Sequence, residues 1–228
     1  MKKTRSPYIF SYFFTALLIM QSYSCSTDEN KKSPPNLIVF IADDVSWDDL
    51  GCYGNEYVQS PNIDLLAKDG IIFKNAYLTT SSCSPSRNSI ITGRYPHNTG
   101  AAELHSMPPM DMISLPEILK SKGYFTLQAG KFHMGDYAIR GFDEVHDDRI
   151  INGKGGEEYW EEAIENTSND QPFFMWFASY DAHRTWGENQ FTGTHNVDQI
   201  KVPEYLIDGP ETRLDLVNYY DEITRFDH

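Results

Sequence analysis

Basic residues and cysteines are both scarce in this chain. Its 228 residues include 19 lysines and arginines against 33 aspartates and glutamates, which gives a formal net charge of −14 at pH 7. A chain this acidic repels the phosphate backbone, so we expect no nucleic-acid partner. Only three cysteines are present, and an odd number makes a poor disulfide framework. Hydrophobic residues at 40% and aromatic residues at 14% are nevertheless enough to bury a core, which excludes a disordered chain.

Residues 1–25 have the layout of a secretory signal peptide. A basic start precedes an apolar stretch at 8–20, and a short polar segment leads to Cys25. The stretch is too short, and too polar at its end, for a spanning helix. Cys25 follows small residues as a bacterial lipoprotein acceptor does, so we expect export to the periplasm or cell surface, with membrane contact only through a lipid on Cys25. Residues 26–35 indicate a tether before a folded domain at 36–228.

Short apolar runs alternate with amphipathic segments along that domain. The predicted strands are residues 36–41, 71–78, 124–129 and 171–180. The predicted helices are residues 62–69, a helix early in the 83–94 segment with Ile90 and Ile91 on its buried side, a helix from a capping box at Ser114–Glu117 to Gly123, residues 157–166, and a helix from Glu211. This alternation predicts an α/β fold with a mostly parallel sheet and helices on both faces.

Polar side chains follow the ends of the predicted strands. The candidate site residues are Asp43, Asp44, Cys83, Arg87, Lys131, His133 and His183. Taken singly, each has an ordinary explanation, such as a turn, a helix cap or an exposed helix residue. Open α/β sheets place their sites at the carboxyl ends of the strands, however, so the sequence predicts that these side chains converge there.

The segment 83–94, CSPSRNSIITGR, carries a recognisable signature. Together with Asp43 and Asp44, the GKFH run at 130–133 and the Asp-x-His at 181–183, it resembles the type I sulfatases. These are formylglycine-dependent enzymes of the alkaline-phosphatase-like superfamily. The resemblance therefore implies an alkaline-phosphatase-like core that hydrolyses O- or N-linked sulfate, with glycans as the expected substrates.

The resemblance also implies how the nucleophile is made and held. Cys83 would be oxidised to formylglycine by a formylglycine-generating or an anaerobic sulfatase-maturing enzyme. Asp43, Asp44 and the modified residue 83 would bind Ca²⁺, a hard cation that takes oxygen ligands. Arg87, one helical turn after position 83, would orient the hydrated aldehyde and the carboxylates.

Three further residues take roles around the sulfate group by the same resemblance. Lys131 would bind sulfate oxygens, and His183 would protonate the leaving oxygen or nitrogen. One hydroxyl of the hydrate would attack sulfur. The second, held by His133, would then lose its proton and expel sulfate.

Two features of the resemblance concern specificity and completeness. Residues 81–87, 172–174 and 183–184 look closest to heparan N-sulfatase-like members. In the family, further metal ligands and another lysine lie on a strand that follows a helix like the one ending at His228. We therefore expect this chain to be an N-terminal portion with an incomplete metal site. Two alternatives stay open: a phosphonate or phosphate monoester hydrolase with the same signature, and a non-catalytic exported fragment.

Overall fold

Four parallel strands run through the centre of a computed structural model that describes residues 34–168, 170–186 and 193–228. They are β1 (Leu37–Ile41), β2 (Phe125–Gly130), β3 (Glu144–His146) and β4 (Phe173–Ala178), and they lie in the order β1-β4-β2-β3. Central β4 pairs Ile41 with Ala178 on one side and Gly130 with Ala178 on the other. The carboxyl ends of β1, β2 and β4 therefore meet at one edge of the sheet.

Residues 35–228 form one compact unit. Its α-helices are α1 (Pro61–Asp69), α2 (Cys83–Thr92), α3 (Pro96–Thr99), α4 (Leu115–Ser121), α5 (Arg149–Asn152), α6 (Trp160–Glu165) and α7 (Pro210–Asp227), with short 3₁₀ helices at Trp47–Asp49, Gly51–Tyr53 and Asp136–Gly141. Within the described ranges, no helix has the length and apolar character needed to cross a bilayer. The predicted signal peptide, Cys25 and nearly all of the tether lie outside the described residues.

Both faces of the sheet are covered by helices, because successive strand residues point to opposite sides. On one face, Phe174 and Trp176 of β4 pack with Ile91 of α2 and Leu119 of α4. On the other, the buried side chains are Leu127, Met175 and Phe177 from the strands and Trp160 and Ala163 from α6, with Phe226 of α7 against them. The predicted α/β class, with a parallel sheet between helical layers, is confirmed.

One predicted strand is wrong. Residues 71–78 contain no strand, and the side chains of Ile71 and Tyr77 are 81% and 86% exposed. An apolar run becomes a strand only where a neighbouring strand offers backbone partners and a face to cover it, so strand propensity alone misled here.

Two local expectations also need correction, and the apolar run of β1 is only partly covered. Phe40 in β1 is 52% exposed, because β1 lies at the sheet edge and is not covered on both faces. Ile91 is buried, as predicted, but Ile90 on the adjacent helical position is 44% exposed. Ser114 precedes α4 without accepting a cap hydrogen bond through its side chain, so the predicted capping box is not formed.

Candidate active site

Backbone hydrogen bonds join three strand ends into one platform. The Asp43 N–H donates to the Asp181 carbonyl at 2.7 Å, and the Lys131 N–H donates to the Ala178 carbonyl at 2.6 Å. Gly130 makes this approach possible, since a Cβ at its φ of +88° would lie 2.0 Å from the Ala178 carbonyl oxygen. The loops that carry Asp43, Lys131 and His183 thus start from a common edge.

Asp43 sits between two cations at this edge. It is 3% exposed, its Oδ1 accepts from Arg87 Nη2 at 3.2 Å, and its Oδ2 pairs with Lys131 Nζ. Arg87 also donates from Nη1 to the Lys131 carbonyl at 2.9 Å. Burying a carboxylate is favourable only when it is paired and hydrogen-bonded, and both conditions are met here. The structure brings together three of the predicted site residues as one buried ionic cluster.

Cys83 begins α2, the helix that also carries Arg87. It is a half-buried free thiol. Ser84, the next residue, is buried, and its Oγ accepts the His105 N–H at 2.9 Å. The amino end of a helix has a partial positive charge and favours anions, so residue 83 lies where a negatively charged group is stabilised.

His133 follows β2 and contacts a histidine that the sequence did not single out. Its Nε2 lies 2.9 Å from Nδ1 of His105, and the two rings are 5.0 Å apart between centroids. Burial, together with the positive charges of Lys131 and Arg87, lowers the pKa of His133 to about 4. His133 is therefore neutral near pH 7 and available as a hydrogen-bond acceptor or base.

Asp44 and His183 form a second, more open pair. His183 Nε2 lies 3.8 Å from Asp44 Oδ2, and both side chains are about half exposed, at 47% and 53%. His183 Nδ1 is 2.6 Å from the Arg184 carbonyl, which fixes the orientation of the ring. All seven predicted residues are thus placed on the three strand-end loops and the start of α2.

Backbone strain is concentrated at the same edge. In the described part of the chain, the non-glycine residues with positive φ are Asp44 at 58°, His105 at 64° and His133 at 43°. Such conformations cost of order 1–3 kcal/mol each and persist only where the surroundings enforce them, which is typical of functional sites. A sequence carries no sign of such strain at His105, which explains why that residue was not predicted.

A second ionic cluster surrounds Asp181, which follows β4. Both carboxylate oxygens of fully buried Asp181 accept from Arg225 of α7, each at 2.6 Å. Glu157 lies 3.8 Å from the Arg225 Nε, and burial raises its pKa to about 7. The Asp181 carbonyl also accepts a hydrogen bond from the Asp43 N–H. Asp181 therefore links α7 to the loop that carries Asp43 and Asp44.

The donor set in the described residues does not fit a complete calcium site. No group of three or more His, Cys, Asp or Glu side chains in the described ranges could hold a metal ion. Both oxygens of Asp43 are already engaged by cations, and Asp44 with residue 83 leaves too few oxygens for the six to eight that Ca²⁺ takes. The predicted metal ligands Asp43, Asp44 and Cys83 therefore form no ligand shell within the described residues.

A parallel α/β sheet with carboxylates, cations and histidines at its carboxyl edge defines a catalytic domain of the α/β class. The family model described as "Sulfatase" matches residues 35–225, and the chain belongs to the sulfatase family. Its structural neighbours are sulfatases of the alkaline-phosphatase-like fold, which confirms the predicted fold.

Named relatives agree with this family. The chain is 44% identical over 100 residues to the ulvan-active sulfatase of Formosa agariphila, covering 44% of this chain and 20% of that protein. It is 29% identical over 214 residues to the N-acetylglucosamine-6-O-sulfatase of Bacteroides thetaiotaomicron, covering 83% of this chain and 38% of that protein. A structure solved in complex with its substrate D-glucosamine-2-N,6-O-disulfate matches with 30% identity and a TM-score of 0.59, covering 67% of this chain and 35% of that one.

The matched segment spans between 20% and 42% of the lengths of the curated relatives. The sulfatase family predicted from the signature is confirmed. The closer likeness to heparan N-sulfatases stays a prediction, since the named relatives include enzymes for other sulfated sugars.

Proposed function

We propose that the protein is a sulfuric ester hydrolase that removes O- or N-linked sulfate from a glycan through a formylglycine derived from Cys83. The observation that carries the proposal is the buried Asp43 cluster, because it ties Arg87 of the signature helix to Lys131 of the GKFH run. Both residues belong to the motifs that carry the resemblance to the sulfatases, Arg87 to the CSPSR segment and Lys131 to the GKFH run.

The chain's own residues suit a reaction at an anionic centre. Lys131 and the amino end of α2 provide positive charge for sulfate oxygens. Neutral His133 can take a proton from the second hydroxyl of the nucleophile when the sulfated enzyme breaks down. His183 is exposed beside Asp44, so it can donate a proton to the leaving oxygen or nitrogen.

Calcium belongs to this proposal only where further oxygen ligands join those of the described residues. Asp43 and Asp44 would contribute oxygen ligands, and the remainder of the shell would come from outside the described residues. Bound there, Ca²⁺ would supply charge neutralisation for the sulfate group. Calorimetric titration tests the idea: residues 1–228 alone should bind Ca²⁺ weakly or not at all, whereas a version extended to the length of the curated relatives should bind it tightly.

Partners and location follow from the same proposal. Relatives named for ulvan, N-acetylglucosamine-6-sulfate and N-acetylgalactosamine-6-sulfate support a sulfated carbohydrate as substrate. A formylglycine-generating or anaerobic maturing enzyme would act on Cys83. A lipid on Cys25 would hold the exported protein at the bacterial periplasmic or outer surface. Labelling with a radioactive fatty acid, compared between wild type and Cys25→Ala, tests the anchor.

Mass spectrometry of the tryptic peptide spanning residues 75–87 tests the nucleophile. Conversion of the cysteine to the aldehyde lowers the peptide mass by about 18 Da, the change expected for a covalent catalyst made from a thiol. The peptide that contains Cys52 is the internal control and should keep its mass. An unmodified Cys83 in a host that has a maturing enzyme contradicts the proposal.

Sulfate release tests the reaction itself. Glucosamine derivatives with 6-O-sulfate or N-sulfate, and the matching phosphate esters, should be assayed in parallel. In a version extended to the length of the curated relatives, Cys83→Ala should abolish turnover, while Cys52→Ala should leave it unchanged. Release of phosphate in preference to sulfate would favour the phosphomonoester alternative, and persistent sulfate release by Cys83→Ala would refute the assigned nucleophile.

A further inference from the structure

His105 lies at the site without a role in the function proposed above. It follows α3 on an exposed loop, and its backbone N–H donates to Ser84 Oγ, one residue from Cys83. Its ring Nδ1 is 2.9 Å from His133 Nε2. The loop is therefore fixed at one point to the nucleophile helix and at another to the histidine after β2.

The hydrogen bond between the two rings determines which nitrogen of His133 carries the proton. A neutral imidazole has one N–H and one lone pair, and His133 is neutral near pH 7 because its pKa is lowered to about 4. If His133 Nε2 donates to His105, the lone pair of His133 is on Nδ1. If His105 donates instead, His133 Nδ1 must carry the proton.

The surroundings of His133 favour the first arrangement. Its Nδ1 is buried and has no hydrogen-bond partner in the described residues. Burial and the nearby charges of Lys131, Arg87 and His105 all disfavour the protonated ring and lower the pKa of His133. A buried N–H without an acceptor is rarer in folded proteins than a buried acceptor without a donor, so the unpartnered Nδ1 is better suited to carry the lone pair.

We propose that His105 is a positioning residue: its Nδ1 accepts a hydrogen bond from the Nε2–H of His133 and so holds His133 with a lone pair on Nδ1. The inference rests on the proposed function, in which His133 takes a proton from the second hydroxyl at position 83. A histidine held in the other tautomer could not accept that proton on Nδ1. The loop that presents His105 therefore prepares the base for the breakdown step.

The backbone conformations are consistent with a selected geometry. Both histidines have positive φ, 64° at His105 and 43° at His133. Histidine and asparagine tolerate this left-handed region better than most residues, and glycine adopts it without cost. This permits two matched variants: His105→Gly removes the ring without backbone strain, and His105→Asn keeps a hydrogen-bond acceptor near the former Nδ1 position.

Nitrogen-15 NMR of the histidine rings in the purified protein tests the proposal directly. In the wild type near pH 7, His133 should have a protonated Nε2 and a lone-pair Nδ1. His105→Gly should give mixed tautomers, His105→Asn should retain the wild-type pattern, and His97→Asn, an exposed histidine elsewhere, should change nothing. A wild-type His133 protonated on Nδ1, or an unchanged pattern in folded His105→Gly, would overturn the proposal. If His105→Gly does not fold, the wild-type tautomer alone still decides.

Kinetics supply a second, separate readout. Loss of a group that orients a functional histidine typically costs about 10- to 100-fold in activity. We expect His105→Gly to lower kcat for sulfate release by that factor with KM nearly unchanged, and His105→Asn to recover most of it. If a wild-type version extended to the length of the curated relatives releases no sulfate, the proposed function fails, while the NMR comparison still decides the role of His105.

Discussion

Removing the Arg87 side chain tests the buried cluster most sharply. Arg87 is 3% exposed and makes two hydrogen bonds, at 3.2 Å to Asp43 Oδ1 and 2.9 Å to the Lys131 carbonyl. In Arg87→Met, the carboxylate loses a charged hydrogen bond of about 1.5–3 kcal/mol, and a buried carbonyl without a donor costs about 1–3 kcal/mol more. The two losses add to about 2.5–6 kcal/mol, and the usual cost of breaking one side of a buried ion pair, about 3–5 kcal/mol, lies within that range.

Urea unfolding followed by circular dichroism measures this loss. A thermal melt gives a second measure. For a protein of this size each kcal/mol lowers the melting temperature by about 2–4 °C, so a loss of about 3–5 kcal/mol should lower it by roughly 6–20 °C. Arg94→Met is the matched control, because Arg94 is exposed just beyond the same helix, and it should change stability by less than about 0.5 kcal/mol. A loss below about 1 kcal/mol in Arg87→Met would refute the reasoning.

A double-mutant cycle separates the ion pair from simple packing. In the Asp43→Asn background the buried charge is absent, so Arg87→Met should cost about 1–3 kcal/mol less than in the wild type. Additive losses would mean that Arg87 contributes through packing of its alkyl chain and not through Asp43.

Three further predictions concern the supports of the site. Burial raises the pKa of Glu157 from 4.5 to about 7, so stability that is complete below pH 4.5 declines as the pH rises through about 7. Glu157→Gln should remove most of that loss, of order 2–3 kcal/mol, in urea unfolding at about pH 5 and about pH 8; an equal decline in the variant contradicts this. Gly130→Ala should destabilise the protein by more than about 2 kcal/mol, because its Cβ would clash with the Ala178 carbonyl. The control Gly93→Ala, whose Cβ meets nothing within 4 Å, should cost about 1 kcal/mol. Equal melting temperatures of the two variants would contradict this prediction. Asp227 accepts the first two backbone N–H groups of α1 beyond Pro61, so Asp227→Ala should cost about 1–2 kcal/mol and speed hydrogen exchange in α1; unchanged exchange there would exclude this cap.

Strands β1, β2 and β4 and the polar residues after them could be predicted from the sequence, because each is a short apolar run that stops before a charged group. Lys131 and His133 follow β2 for this reason, and Asp43 follows β1. The three-residue strand β3 (Glu144–His146) has no such run and was not predicted. Residues 71–78 are similarly apolar but form no strand, because strand pairing depends on whether a neighbouring strand is present. Periodicity cannot supply that information.

The contacts behind the site were harder to foresee. Helix α7 was predicted from its apolar positions, a method that treats charged residues as solvent-facing, yet Arg225 reaches the fully buried Asp181. His105 lies in a loop without periodicity, and its ring contact depends on a left-handed backbone that no residue pattern indicates. Long-range ion pairs and strained loops are determined by tertiary packing, so they are seen only in the folded structure.

The strand order has a consequence for how the protein is made. β4 is the last of the four described strands to leave the ribosome, yet it lies between β1 and β2 and supplies backbone partners to both. Until it is synthesised, the first two strands have no native neighbour in common, and the side chains that follow them cannot meet. Assembly of the acidic and basic groups is therefore a late event in biogenesis, delayed by the slow closure of long loops.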